Sequence, residues 1–136
     1  MSNYVPPEGP RDAKIVLVGE APGGTENQMR RPFVGKSGRL LDALLRSAGI
    51  ERSEVYLTNL VKYQPRGNSI RQYFRYPGVP NEEGALHMDD FWKEMRTLSP
   101  NVIVTLGAYP TAMLLGESFS IGQVRGHVEQ AEVQLA

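Results

Sequence analysis

The chain has 136 residues, with fifteen Lys plus Arg balanced by fifteen Asp plus Glu and no cysteine. That length suits one domain around a single core, and the balanced charge means that any surface for nucleic acid must come from local clustering. The missing cysteines exclude disulfides, thiolate metal sites, iron-sulfur clusters and a cysteine nucleophile together, while the absence of a signal pattern or a membrane-length apolar window predicts a soluble, cytoplasmic protein.

Residues 1–12 carry Pro6, Pro7 and Pro10 and read as an extended arm. Residues 14–19, Lys-Ile-Val-Leu-Val-Gly, are a short β-branched apolar run, the pattern of a strand buried on both faces of a parallel sheet. A polar loop follows, and Glu20 stands at the carboxyl end of the strand, where α/β sheets bind ligands. Residues 37–49 place Leu40, Leu41, Leu44, Leu45 and Ala48 at helical spacing, with Ser37 as N-cap and Gly49 as C-cap. Residues 55–61 form a second strand that runs into another polar stretch, 62–68. Residues 69–84, with Pro77, Gly78 and Pro80, read as a long loop.

A helix is expected from about residue 83 to 98, with Trp92 and Met95 in the core and His87 on the helix surface. Residues 101–107 are a third buried strand closing on Gly107, followed by a short helix through Leu115 to Gly116. Beyond residue 120, irregular alternation suggests one or two exposed edge strands, which could invite self-association. The alternation of strand and helix predicts an α/β fold: three layers, α/β/α, around a mostly parallel four-stranded sheet, as one domain over 1–136.

Six blocks carry more than fold. They are Gly19-Glu-Ala-Pro-Gly23, Arg31-Pro-Phe-Val-Gly35, Val55-Tyr-Leu-Thr-Asn-Leu-Val-Lys62, Pro65-Arg-Gly-Asn68, Val102-Ile-Val-Thr-Leu-Gly107 and Ile121-Gly-Gln-Val-Arg-Gly126. In this order and at these spacings, across residues 14–126, the chain resembles the uracil-DNA glycosylase superfamily. It is most similar to the bacterial and archaeal family 4 branch and is related to the domain appended to some phage DNA polymerases.

The resemblance implies a DNA repair enzyme that flips a base out of the stack and hydrolyses its N-glycosidic bond. Glu20 matches the acidic residue that activates water and faces the sugar cation. The backbone amides from Ala21 to Gly23 match donors to a uracil oxygen. Phe33 matches the ring on which uracil stacks, a contact worth roughly 1–3 kcal/mol by analogy with single-strand binders. Asn59 matches the amide that meets O4 and N3-H of uracil together. Each has a plainer alternative: a capping or loop-stabilising Glu, a core Phe, and an Asn bonding its own turn.

Arg66, Gly67 and Asn68 resemble the family's DNA-contacting loop. Beyond it, Arg71 and Arg75 interleave with Tyr73, Phe74 and Tyr76, which suits a single-stranded or distorted backbone. The alternative is a solvated loop whose aromatics pin it to the body. Lys36 and Ser37 open a helix whose free amides attract phosphate, although capping alone explains Ser37. The implied partner is DNA, single-stranded or uracil-containing, with a replication protein as a second partner and no membrane.

Two departures from the family stand out. Its four-iron, four-sulfur cluster is held by four cysteines, one of them in the block where Tyr63 stands here, so no such cofactor is expected and packing around Tyr63 and the arm must replace the cross-link. A His-Pro-Ser block, whose histidine donates to uracil O2, is absent from the 136 residues, and His127 lies too early to take that role. Losing one donor to a developing anion costs about 10²–10³ in rate. The chain therefore reads as a glycosylase domain truncated at its carboxyl end. The competing reading is a non-catalytic DNA-binding or replication-partner module on the same fold. An unrelated nucleotide-binding α/β protein is disfavoured because a Gly-rich phosphate fingerprint is missing.

Overall fold

The computed structural model describes residues 3–116. Its centre is a parallel sheet in the order β2-β1-β5, with β1 at Ile15–Gly19, β2 at Tyr56–Asn59 and β5 at Val102–Thr105. The register pairs Gly19 with Asn59 and Val18 with Thr105, so all three strands end level with one another. The fourth strand expected after residue 120 lies outside the described residues.

Helices cover the two faces because successive β1 side chains alternate between them. Val16 and Val18 face helix α3, Glu82–Met95, and pack with Phe91 and Met95, both essentially inaccessible. Leu17 and Leu57 face helix α2, Lys36–Ser47, through Leu41 and Leu45. Burying each such side chain contributes about 1.5–3 kcal/mol. The apolar stripe of α2 is narrower than its sequence suggests. Gly38, Leu41 and Leu45 are buried, whereas Leu40 and Leu44 are 63% and 59% exposed, because at 100° per residue they fall on the flank of the sheet-facing line.

Three expectations need correction. Ser37 is not the N-cap of α2; Gly35 is, without a side-chain cap. Gly49 does follow the helix in the left-handed region at φ 75°, and Gly49 N–H and Ile50 N–H donate to the carbonyls of Arg46 and Leu45, as in a Schellman ending. Residues 69–84 are not plain loop: a 3₁₀ turn at Ile70–Tyr73 leads into an antiparallel hairpin of β3, Phe74–Tyr76, and β4, Val79–Pro80. Buried Tyr73 and Phe74 anchor it, so those aromatics pin the segment to the body. Strand β5 is only half buried. Ile103 packs into the core, while Val102 and Val104 are exposed, because among the described residues β5 is the sheet edge and no described element covers that side.

The arm runs antiparallel along the outer edge of β2. Val5 N–H donates to Lys62 O at 2.7 Å, and Glu8 exchanges two backbone hydrogen bonds with Leu57. This pairing closes one edge of the sheet. Helix α1, Gly24–Met29, was not foreseen and buries no residue. Helix α4, Ala108–Leu115, follows β5 directly through Gly107. Among the described residues no helix is long and apolar enough to cross a membrane.

Candidate functional site

The strand ends assemble the site. Asn59 is the last residue of β2, buried, and opposite Gly19, the last of β1. A β-carbon at Gly19 would lie 2.6 Å from Asn59 Oδ1 and 2.7 Å from Phe33 Cζ. Phe33 and Asn59 therefore converge on the bare α-carbon of Gly19, and only glycine leaves them that space. The side-chain amide of Asn59 has no hydrogen-bond partner among the described residues; the neighbouring Lys62 ammonium bonds its backbone carbonyl instead.

Glu20 follows Gly19 at the same strand end, and its carbonyl accepts from Val61 N–H. Its carboxylate turns toward the start of α4, where a β-carbon at Gly107 would lie 2.8 Å from its Oε2. Burial pushes the Glu20 carboxyl above the usual carboxylate range, and the Tyr109 amide only partly reverses this. The three residues thus share one end of the sheet, with Phe33 and Asn59 in mutual proximity and Glu20 on the β5 and α4 side.

The loop carrying Phe33 is held from several directions. Phe33 has φ 53°, left-handed for a residue with a side chain, a conformation costing about 1–3 kcal/mol that persists only when its surroundings over-determine it. Glu26 Oε2 accepts from Val34 N–H and Gly35 N–H, and its Oε1 accepts from Gly23 N–H. Burial alone would raise the Glu26 carboxyl, but these backbone donors outweigh it and hold it below the usual range. Of the amides expected to meet a base, Gly23 N–H is thus already engaged, and Ala21 is partly buried against the main core. Arg52 donates to Phe33 O at 2.8 Å and Pro32 O at 2.7 Å.

Beneath Asn59 lies a buried ionic cluster that the sequence did not reveal. Lys62 Nζ meets Glu94 Oε1 at 2.8 Å and also donates to Asn59 O, while the hydroxyls of Tyr56 and Thr58 both donate to Glu94 Oε2 at 2.7 Å. Burial lowers the Lys62 ammonium, with the Glu94 carboxylate opposing. A lone Lys or Glu in sequence reads as solvated surface, so only the meeting of β2 and α3 exposes the pair. Arg52 and Glu26 escaped notice for the same reason, although Glu26 stands three residues after Gly23, the spacing of a capping return.

The residues expected to face DNA are exposed. Lys36 and Ser37 open α2, and Arg66, Gly67 and Asn68 form a 3₁₀ turn in which Gly67 and Asn68 are left-handed. Gln64 donates to Asn68 Oδ1, and Gln72 donates to the carbonyls of Arg66 and Ser69. Arg71 and Arg75 are exposed. Phe74 stacks edge-on against Tyr109 at 5.2 Å, tying the hairpin to the helix start that receives Glu20.

An iron-sulfur cluster does not fit this chain. Around Tyr63 the possible ligand groups are phenols, the His87 imidazole and the carboxylates of Asp90 and Glu94, and the sequence offers no thiolate. The Tyr63 ring instead packs on Tyr4 at 5.8 Å and on His87 at 5.9 Å, and His87 packs on Tyr73 at 4.8 Å. His87 is therefore half-buried between aromatic rings rather than a surface residue, and the arm is pinned by ring packing. Among the described residues no group of three or more His, Cys, Asp or Glu is arranged to hold a metal ion.

The family model described as the uracil DNA glycosylase superfamily matches residues 6–134. The chain belongs to that superfamily. This glycosylase-superfamily chain is 41% identical over 128 residues to a protein of Thermotoga maritima named Type-4 uracil-DNA glycosylase, covering 93% of the chain and 62% of that protein. A protein of the same name from Archaeoglobus fulgidus is 36% identical over 136 residues, covering 96% and 64%. A DNA polymerase of Bacillus phage SP01 is 32% identical over 126 residues, covering 92% of the chain and 13% of the polymerase. The chain thus spans less than two thirds of the length of the two glycosylases.

Proposed function

We propose that this chain recognises uracil in DNA and hydrolyses its N-glycosidic bond. The observation that carries the reading is the convergence of the Phe33 ring and the Asn59 amide on Gly19, one residue before Glu20. An extruded uracil stacks on Phe33, and the Asn59 amide supplies one donor and one acceptor to O4 and N3-H. Cytosine presents the opposite pattern at those atoms. Water adds to C1′ of the sugar, the C1′–N1 bond breaks, and uracil departs with the electron pair. Glu20 as carboxylate takes the water proton and faces the positive charge that develops on the sugar. Arg66, Gly67, Asn68, Arg71, Arg75 and the start of α2 at Lys36 and Ser37 supply the contacts to the DNA backbone.

The test is release of uracil from a single-stranded oligonucleotide with one deoxyuridine, read as alkali-labile strand breaks. Glu20→Gln is expected to lower the single-turnover rate by about 10²–10⁴, and Asn59→Ala by about tenfold or more with a loss of preference for uracil. Release by both variants at the parent rate would remove the assignment. The match to a phage polymerase favours a second reading, DNA binding linked to replication without chemistry. Equal binding of uracil-containing and normal DNA, with no release, would select it.

The acid limb of the rate profile provides a separate check. Burial raises the Glu20 carboxyl in the folded chain, so the active carboxylate appears only above the ordinary Glu range and the rate climbs through that higher pH. The stability sign is opposite: the folded chain binds this proton more tightly than the unfolded one, so the contribution of Glu20 to stability declines as pH rises from its ordinary value to its raised one. A profile whose limb is unchanged in Glu20→Gln would assign the titration elsewhere.

A further inference from the structure

The geometry points to Arg52 as a positioning residue for the base-stacking ring, acting through the backbone of Phe33 and not through contact with DNA. This rests on the reading of Phe33 above. Arg52 precedes β2 in a short 3₁₀ turn, and its side chain is only 20% exposed. Its two terminal nitrogens grip the successive carbonyls of Pro32 and Phe33. The same guanidinium is anchored by Asp42 Oδ1 on α2 at 2.9 Å and by Glu8 Oε2 on the arm at 3.3 Å. One side chain thus joins the arm, α2 and the Phe33 loop.

The grip matters because of where it acts. Phe33 sits in the left-handed region, and its ring reaches the α-carbon of Gly19 beside Asn59 Oδ1. Glu26 secures the amides after Phe33, at Val34 and Gly35, and Arg52 secures its carbonyl, so the rotation that aims the ring is fixed on both sides. Lysine cannot reproduce this, since a point ammonium lacks the planar fork that reaches two carbonyls and two carboxylates at once. Arg31 is the natural control. It pairs with the same Glu8, at 2.7 Å, yet touches neither carbonyl.

The experiment measures binding of the full chain to two matched single-stranded oligonucleotides, one with a hydrolysis-resistant 2′-fluoro-deoxyuridine and one with thymidine in its place. Arg52→Lys is expected to reduce the preference for the uracil strand by about tenfold, with affinity for the thymidine strand unchanged. Asp42→Asn, which loosens the anchor and keeps the fork, is expected to do the same to a smaller extent, and Arg31→Gln to do nothing. In a Phe33→Ala background, Arg52→Lys is expected to add no further loss. Equal weakening of both strands, or full additivity with Phe33→Ala, would reduce Arg52 to a structural part and overturn the proposal. If Phe33→Ala itself leaves the preference intact, the stacking role of Phe33 fails, and the positioning role falls with it.

Discussion

Gly38→Ala is expected to lower both stability and uracil release, although helix propensity alone predicts the reverse. Alanine is favoured over glycine inside a helix by about 0.8–1.0 kcal/mol. At Gly38, however, a β-carbon would stand 1.9 Å from Phe33 O and 2.1 Å from Phe33 C. Those are backbone atoms and cannot swing aside, so α2 and the Phe33 turn must separate. Overpacking costs about 1–3 kcal/mol, and a clash this close with backbone falls in the upper part of that range, above the propensity gain. The expected result is a net loss of up to about 2 kcal/mol in denaturant unfolding, by the same balance. Release is expected to fall by about 10²-fold, because displacing a positioning loop by an ångström suffices for that. A variant that melts at or above the parent temperature with full activity would show that the approach of α2 to Phe33 is not part of the native fold.

Removing Glu94 is expected to produce the largest loss of stability. The Lys62 and Glu94 side chains are 12% and 10% exposed, and the carboxylate also receives the hydroxyls of Tyr56 and Thr58. Glu94→Ala leaves the Lys62 ammonium buried without its counter-charge and the two hydroxyls without the carboxylate that receives them. Deleting one member of a buried ion pair typically costs about 3–5 kcal/mol, whereas replacing both by apolar residues of similar volume is often neutral or stabilising. Urea unfolding of Glu94→Ala should show that loss, and the double variant Lys62→Met with Glu94→Met should recover most of it. The site should respond too, because Lys62 also holds the carbonyl of Asn59. A loss under about 1 kcal/mol in the single variant would match a solvated surface pair and contradict this description of the core.

The elements legible in the sequence were those whose signal repeats along one segment. The runs at 14–19, 55–61 and 101–107 are β1, β2 and β5, and the leucine spacing of 37–49 is α2, ending at Gly49 as expected. What escaped was short or depended on a distant partner. Helix α1 buries nothing and is organised by the bonds from Glu26 to Gly23, Val34 and Gly35. The hairpin at 74–80 has strands too brief for any period, and the burial of Tyr73 and Phe74 places it. The half-exposed face of β5 was hidden because an apolar run reads alike at the centre and at the edge of a sheet.

For the candidate site, the resemblance of the motifs singled out Glu20 and Asn59, at strand ends, and Phe33, on the loop after β1. Their support was not legible, since Arg52 meets Glu8 across 44 residues and Glu94 meets Thr58 across 36. Sequence alone determined the parallel strands, the helix between the first two, and the placing of polar residues where those strands stop. Tertiary structure decided which charges are buried in pairs, which glycines must stay bare, and that Phe33 swings back onto Gly19. Periodicity is written along one segment and survives in isolation, whereas close approach and charge compensation exist only where two segments meet.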